Sequence, residues 1–203
     1  IRDPEMSHGL GDVYKRQAHI FGAHERTVNG VKGVLFNVWA PKALSVSVVG
    51  EFNKYDGRVH LMERIEDTGV FELFIPGLAA GCGYMYEIKR QGKGTTRKLD
   101  PVSRQISSVP ITASVVSDEN MPDSYAWNDG LWMIKRKKEA GKKKPVTVYE
   151  VSLTDWLKEK SADELVDFVK QEGYTHVCFL PVAEYLNEEM NGYSTLGYFA
   201  VTH

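Results

Sequence analysis

An alternation of apolar and polar residues between positions 33 and 88 constrains the fold of this chain more than any other feature. Apolar side chains recur at every second position in four runs, and a period of two is typical of β-strands that bury one face. The runs are Val34, Phe36 and Val38; Val46 and Val48; Phe71, Leu73 and Ile75; and Tyr84, Tyr86 and Ile88. Glycine turns such as Asp56-Gly57 separate them and supply the positive φ of tight hairpins. The pattern predicts an immunoglobulin-like antiparallel β-sandwich over residues 18–116.

The pattern changes in the second half of the chain. Residues 146–151 form a run rich in β-branched side chains, residues 161–172 have the spacing of an amphipathic helix, and residues 175–180 form a second apolar strand. Ser161 and Glu164 have the spacing of a capping box, so we expect the helix to begin there. Strand, helix and strand in this order predict a parallel crossover. The predicted fold class is therefore multidomain, an all-β domain followed by a β-α-β unit.

Two stretches do not share these periods. Residues 1–17 show neither helical nor strand spacing, so we expect them to be unstructured; a non-native origin such as a cloning junction is one hypothesis for them. Residues 117–145 are polar and end in a basic run from Lys135 to Lys144, in which seven of ten residues are Lys or Arg. A nucleic-acid patch is one interpretation of that run, but no interleaved aromatic residue offers a base a stacking surface. We therefore favour a solvated linker over 117–145.

Charge, hydropathy and cysteine spacing limit the partners and the location of the chain. A net charge of -2 gives no field strong enough to attract nucleic acid or an anionic membrane surface. No run approaches the roughly 18 apolar residues of a membrane helix, and no signal-peptide pattern opens the chain. Cys82 and Cys178 lie in strand patterns without the spacing of metal ligands, which indicates reduced thiols. We expect a cytoplasmic protein without nucleic-acid or membrane partners; the oligomeric state has no signal in the sequence.

The sequence holds no pattern that predicts a metal or a cofactor. The six histidines lack both the i, i+4 spacing and the paired cysteines of metal sites. They are His8, His19, His24, His60, His176 and His203. Gly81-Cys82-Gly83 precedes a strand instead of opening a helix, so a hairpin explains it better than a phosphate-binding loop. We therefore predict neither a metal nor a cofactor.

Two carboxylates and one aromatic turn in the second half are candidates for chemistry on a sugar. Glycoside hydrolysis needs two carboxylates about 5 to 10 Å apart. For Glu150 we favour packing or a salt link, and for Glu184 a structural or supporting contact. The turn Asn191-Gly192-Tyr193-Ser194 exposes an aromatic ring beyond the second strand. Its spacing leaves open whether Tyr193 packs against a sugar or holds the loop.

Two series of short motifs run through the chain from Ala18 to His203. The first comprises Gly22-Ala23-His24, Val38-Trp39-Ala40-Pro41 and the stretch from Val48 to Arg58. The second comprises Tyr149-Glu150-Val151, Thr175-His176-Val177, Leu180-Pro181-Val182, Gly192-Tyr193 and Gly197-Tyr198-Phe199-Ala200. In this order they resemble the 1,4-α-glucan (glycogen) branching enzymes, which belong to the α-amylase superfamily of glycoside hydrolases.

This resemblance implies both a fold and a reaction. The sandwich would be a glycogen-binding-type module, and residues 146–203 would begin a catalytic (β/α)₈ TIM barrel that is incomplete in this chain. The reaction would be a retaining transglycosylation in which an aspartate forms a covalent glucanosyl-enzyme, a glutamate acts as acid and base, and a glucan 6-hydroxyl replaces water. Those carboxylates follow later barrel strands, so no catalytic residue is expected here and the chain itself should be inactive. Tyr193 matches a tyrosine near the sugar at the cleavage point, and α-glucan is the implied partner.

The sequence departs from the family pattern in several places. Tyr55 replaces a tryptophan and so keeps a ring while losing the indole N–H donor. We favour packing for Tyr55 and turn formation for Asn53. The other departures are Glu51, Ser152, Tyr185, Asn191 and Ser194.

Two alternatives to a branching enzyme remain. A debranching or trehalose-releasing enzyme of the same superfamily also joins such a sandwich to such a barrel. A non-catalytic glucan-binding module, or a structural spacer, is the alternative from a different class.

Overall fold

The computed structural model divides the chain into two compact units, residues 1–119 with 183–203, and residues 120–182. The residues that it describes are 20–107, 111–118, 127–139, 145–186 and 192–201. The predictions for residues 1–17, for Asn191 and for part of the basic run lie outside these ranges. In the described part of the chain, no helix is both long and apolar enough to cross a bilayer.

Antiparallel strands build the first unit, as the alternation predicted. In chain order they are β1 (Gly22–Val28), β2 (Val31–Trp39), β3 (Ser45–Gly50), β4 (Glu63–Ile65), β5 (Val70–Pro76), β6 (Gly83–Arg90), β7 (Gly94–Lys98), β8 (Ile106–Ser107) and β9 (Ala113–Val115). Sheet one has the order β1-β2-β5-β4. Sheet two has the order β3-β6-β9-β8, and β7 pairs with β6. The crossed strand order means that each sheet draws its strands from distant parts of the sequence.

The predicted alternating residues form the single core that both sheets share. All of them are buried except Leu73 and Ile88, which pack against the core while partly exposed. The rings of Phe36 from sheet one and Tyr84 from sheet two meet edge to face, with centroids 5.0 Å apart. Each fully buried side chain of this kind contributes about 1.5–3 kcal/mol to the free energy of folding. The predicted sandwich is therefore confirmed.

A buried carboxylate lies within this otherwise apolar core. Asp100 Oδ2 accepts hydrogen bonds from the hydroxyls of Tyr84 (2.6 Å) and Tyr86 (3.2 Å), and Oδ1 accepts one from the Val102 N–H (2.9 Å). The Asp100 N–H donates to Ser114 Oγ at 2.9 Å. Burial raises the pKa of Asp100 above its ordinary value, although these hydrogen bonds oppose the shift. This network connects β6 and β9 to the segment around Asp100. The apolar alternation in the sequence did not predict the network.

The second unit begins with a helix, α1 (Gly130–Glu139), inside the stretch predicted to be a linker. Most of its residues are strong helix formers, and the Arg136 guanidinium lies 5.3 Å from the centre of the Trp132 ring one turn earlier. The helix buries none of its described residues. Its large apolar residues are consecutive, from Leu131 to Ile134, and do not recur at helical spacing, which is why periodicity did not reveal the helix.

The predicted parallel crossover is confirmed in the second unit. Strands β10 (Val148–Val151) and β11 (His176–Phe179) pair in parallel, and between them lie α2 (Leu153–Glu159) and α3 (Ala162–Gln171). The α3 helix begins at the predicted capping box, since Ser161 Oγ accepts from the Glu164 N–H (3.2 Å) and the Glu164 carboxylate from the Ser161 N–H (2.7 Å). The α2 helix was not predicted. It is a short helix between a strand and the next capping box.

A hairpin of β12 (Ala183–Tyr185) and β13 (Thr195–Val201) follows, and it belongs to the first compact unit. This division into units differs from the predicted domain ranges, in which residues 146–203 stand together. Compactness alone does not decide where a functional domain begins, so the predicted ranges stay a prediction.

We predict that Asp100→Asn destabilises the sandwich by about 1–3 kcal/mol, because a buried hydroxyl loses an acceptor. Because the pKa of Asp100 is higher in the folded than in the unfolded state, protonation of this carboxyl stabilises the fold. This stabilisation is complete below the unfolded-state pKa of about 3.8 and is lost as the pH rises through the folded-state pKa. Wild type should therefore gain stability over the variant between about pH 7 and about pH 4. Urea unfolding across that range measures the difference.

Asp67→Asn is the matched control, because Asp67 is an exposed carboxylate in a surface turn of the same unit. A difference between wild type and Asp100→Asn that is constant with pH, or that shrinks on acidification, would contradict the prediction.

Candidate functional site

The turn after β3 is built around the buried amide of Asn53. Its Oδ1 accepts a hydrogen bond from the Gly50 N–H (3.0 Å), and its Nδ2 donates to the Val48 carbonyl (2.8 Å). The same Nδ2 lies 3.0 Å from His60 Nδ1. Burial lowers the pKa of His60, which favours the neutral ring that can accept this bond. The turn-forming role predicted for Asn53 is confirmed.

Two residues that follow Asn53 have left-handed backbone conformations that non-glycine residues rarely adopt. The φ angles of Lys54 and Tyr55 are 55° and 58°. Such conformations cost roughly 1–3 kcal/mol each and persist only where surrounding contacts hold them. Here the Tyr55 N–H donates to the Gly50 carbonyl (2.9 Å), and the Tyr55 carbonyl accepts from Arg97 Nη2 (2.9 Å). The strained turn is thus fixed from both sides, and it carries the Tyr55 ring out onto sheet two.

Arg97 on β7 fixes that ring from the neighbouring strand. Its guanidinium lies 5.7 Å from the centre of the Tyr55 ring, and its Nε donates to Glu87 Oε2 at 3.1 Å. Glu87 is opposite Arg97 in the register of β6 and β7. A Cβ at Gly57 would meet the Glu87 carboxylate, so glycine lets the turn approach this strand without displacing that side chain. The positive φ predicted for Gly57 is wrong, because the left-handed residues of this turn are Lys54 and Tyr55. We call Tyr55, Gly57, Glu87 and Arg97 the Tyr55 surface.

An ion pair stands in the same turn. Arg58 donates through Nε to Asp56 Oδ1 (2.9 Å) and through Nη2 to Asp56 Oδ2 (2.7 Å). The Arg58 hydrogen bonds lower the pKa of Asp56 to about 2, so both groups are charged at neutral pH. An aromatic ring with charged groups beside it suits a ligand with an apolar face and many hydroxyls.

The other residues that the sequence suggested for chemistry on a sugar lie in the second half of the chain. Tyr193 precedes β13 and is 64% exposed. Glu184 lies half-buried on β12, and Glu150 is exposed on β10. Whether Tyr193 contacts a sugar is not decided by this geometry and stays a prediction.

A cleft of about 370 Å³ in the second unit is lined by Tyr149, Glu150, Asp155 and Trp156, among others. The Trp156 ring is already covered by the Lys160 ammonium, 4.5 Å from its centre, and by the Phe168 ring at 5.7 Å. This packing suits a structural tryptophan better than a ligand platform. Among the described residues, no group of three or more His, Cys, Asp or Glu side chains could hold a metal ion.

Residues 20–103, which include strands β1 to β7 of the sandwich, match the model of the family carbohydrate-binding module 48 (Isoamylase N-terminal domain). Relatives over a longer range are branching enzymes. The chain is 42% identical to the 1,4-alpha-glucan branching enzyme GlgB of Methylococcus capsulatus and 44% identical to that of Thiobacillus denitrificans, in each case over 90% of its own length. The chain spans only 26% of each of these relatives. The resemblance inferred from the motif series is thus confirmed.

Solved structures share the fold at lower identity. A putative alpha amylase from Salmonella typhimurium superposes with a TM-score of 0.54 at 24% identity, covering 89% of this chain and 28% of that one. The Group B Streptococcus pullulanase SAP superposes with a TM-score of 0.56 at 21% identity, covering 90% and 28%. At such identities the likeness concerns the fold alone, so it does not choose between branching and debranching.

Proposed function

We propose that the chain is the N-terminal part of an α-1,4-glucan branching enzyme, which cleaves α-1,4 bonds and re-forms them as α-1,6 branches in glycogen. The observation that carries the proposal is the identity of about 40% to named branching enzymes across some 90% of the chain. The reaction would be retaining: an aspartate of the complete enzyme forms the glucanosyl-enzyme, a glutamate transfers the proton, and a glucan 6-hydroxyl takes the chain. The proposed location is the cytoplasm.

The second unit, in this proposal, contains the first strands of the catalytic (β/α)₈ barrel. Its parallel pair supports that assignment, because parallel sheets are normally covered on both faces and this pair is not. All four residues of β11 are exposed, and so is Val148 on β10. A barrel of this kind needs about 250 residues. The catalytic carboxylates would then lie in the part of the enzyme that these residues do not include.

We expect the purified 203-residue chain to leave amylose unchanged, whereas the complete enzyme should lower iodine staining of amylose and form new α-1,6 linkages. The physical reason is that the nucleophile and the acid are both absent from this chain. Linkage analysis by NMR, with iodine staining as the rapid assay, makes the measurement.

Two results would count against this assignment. Turnover of amylose by the 203-residue chain would contradict the missing active site. Release of maltooligosaccharides from branched glucan by the complete enzyme would replace branching with debranching.

The sandwich itself is proposed to bind α-glucan at the Tyr55 surface. Supporting this are the match of residues 20–103 to a carbohydrate-binding module and the ordered ring that Arg97 holds. Glu87, which pairs with Arg97, and the ion pair of Asp56 with Arg58 in the same turn supply charged atoms for sugar hydroxyls. A strained turn that is held in place by four backbone and side-chain hydrogen bonds presents the ring without further ordering when a ligand binds.

We predict that Tyr55→Ala and Arg97→Ala each weaken retention of the 203-residue chain on glycogen about tenfold, which corresponds to about 1.4 kcal/mol. Tyr55→Ala removes the ring, and Arg97→Ala releases both the ring and the turn. Affinity electrophoresis through glycogen-containing gels measures the apparent Kd.

Tyr198→Ala is the matched control, because Tyr198 is an exposed tyrosine of the same unit outside this surface. Equal retention of all three variants would move the binding site elsewhere. Absence of retention for wild type would make the sandwich a positioning domain.

Tyr193 is proposed to contact the sugar at the cleavage point of the complete enzyme. Tyr193 is 64% exposed and directly follows Gly192, whose φ of 83° only glycine adopts readily. A ring presented on such a turn is available to the apolar face of a sugar.

In the complete enzyme, Tyr193→Ala should lower kcat/KM on amylose by about tenfold or more, and Tyr193→Phe should retain most of it. The ring, not the hydroxyl, makes the proposed contact. Steady-state kinetics of both variants test this, with Tyr198→Ala, on the following strand, as the control. Equal losses in Tyr193→Ala and Tyr198→Ala would indicate a general effect on the hairpin and contradict the contact.

A further inference from the structure

Trp39, the last residue of β2, is an ordered tryptophan on the outward face of sheet one. It alternates with the core residues Val34, Phe36 and Val38, and 62% of its surface is exposed. The indole N–H donates to the Thr68 carbonyl at 3.3 Å. This hydrogen bond uses the polar edge of the indole and leaves its apolar surface toward solvent.

The cross-strand neighbours of Trp39 extend an apolar row across three strands. Val70 on β5 is opposite Trp39, and Ile65 on β4 is opposite Val70. Val70 is half-buried, and Ile65 is exposed. Three strands about 4.8 Å apart give the row a length of about 10 Å. We call Trp39, Val70 and Ile65 the Trp39 row.

Acidic side chains flank this row on the same face. Glu72 lies two positions beyond Val70 on β5, and Glu63 lies two positions before Ile65 on β4. The register pairs these two glutamates with each other, one row away from the Trp39 row. Two residues along a strand correspond to about 7 Å. A ligand on the row would therefore meet carboxylate acceptors at its edge.

These features favour a neutral sugar chain over other occupants. A stable protein partner buries about 800 Å² on each side, far more than one exposed indole and two aliphatic side chains supply. The paired glutamates disfavour an anionic ligand. A glucan has an apolar ring face for the indole and hydroxyl groups that donate to carboxylates.

We propose that the Trp39 row is a second α-glucan contact of this domain, on the opposite face of the sandwich from the Tyr55 surface. The two faces follow from the alternation: Trp39 points away from the shared core on sheet one, and Glu87, between core residues Tyr86 and Ile88, points away from it on sheet two. The inference rests on the proposed glucan binding of the domain. Two opposed contacts engage two chains of a branched glucan at once, which strengthens binding to glycogen more than binding to one short chain.

The experiment uses the 203-residue chain with glycogen and with maltoheptaose as probes. Trp39→Ala should weaken retention on glycogen about fivefold to tenfold and remove part of the change in tryptophan fluorescence that maltoheptaose causes. Trp127→Ala is the matched control, because Trp127 is an exposed tryptophan of the other compact unit. In the double variant Trp39→Ala with Tyr55→Ala, the two losses should be additive in free energy, as expected for separate sites. Trp39→Phe keeps a ring and should retain most of the binding.

Each other outcome rejects the second contact. If Trp39→Ala binds glycogen as wild type does while Tyr55→Ala does not, the second contact is wrong and the proposed glucan binding stands. If wild type is not retained at all, both fail together. If Trp39→Ala changes the molecular mass in light scattering, a second copy of the chain covers the row, and the glucan assignment is wrong.

Discussion

The sandwich depends on one constraint: each of its two sheets has one apolar face, and each face is removed from water by packing against the other. The burial of Val34, Phe36 and Tyr84 in one shared core is the result. Because successive side chains alternate, fixing the inner residues also fixes which residues point outward. Trp39 and Glu87 therefore lie on opposite outer faces for the same reason that their neighbours are buried. The two candidate binding surfaces are consequences of how the core packs.

Local strain and distant contacts together shape the Tyr55 surface. Lys54 and Tyr55 have backbone conformations that a short peptide would seldom hold. The buried amide of Asn53 holds the turn from within, and Arg97, 42 positions from Tyr55 in the chain, holds it from the adjacent strand. Glycine at position 57 permits the close approach to Glu87. A ligand platform that is ordered in this way loses little conformational entropy on binding.

The second unit has a different source of stability. Its α3 helix is specified locally by the capping box at Ser161 and by Leu165 and Val169, which pack against Tyr149 and Trp156. The parallel pair of β10 and β11, in contrast, has exposed apolar residues that two strands and their helices do not cover. This difference agrees with the coverage of only 26% of the related branching enzymes and with the proposal that the strands belong to a larger barrel.

The sequence by itself determined the sandwich, its buried stripes, the capped helix, the parallel crossover and the resemblance to branching enzymes. Each of these depends on residues that are close together in the chain or that recur with a regular period. Only the tertiary structure decided that Asp100 joins Tyr84 and Tyr86 in a buried network, that Arg97 lies over Tyr55, and that Trp39 aligns with Val70 and Ile65. Those contacts join strands that are distant in the chain, and their register is set by how the sheets assemble. The sequence also did not predict the helix α1, since this helix has no buried apolar stripe with helical spacing. Periodicity reports which face is buried, whereas the identity of the neighbour across the sheet depends on strand order.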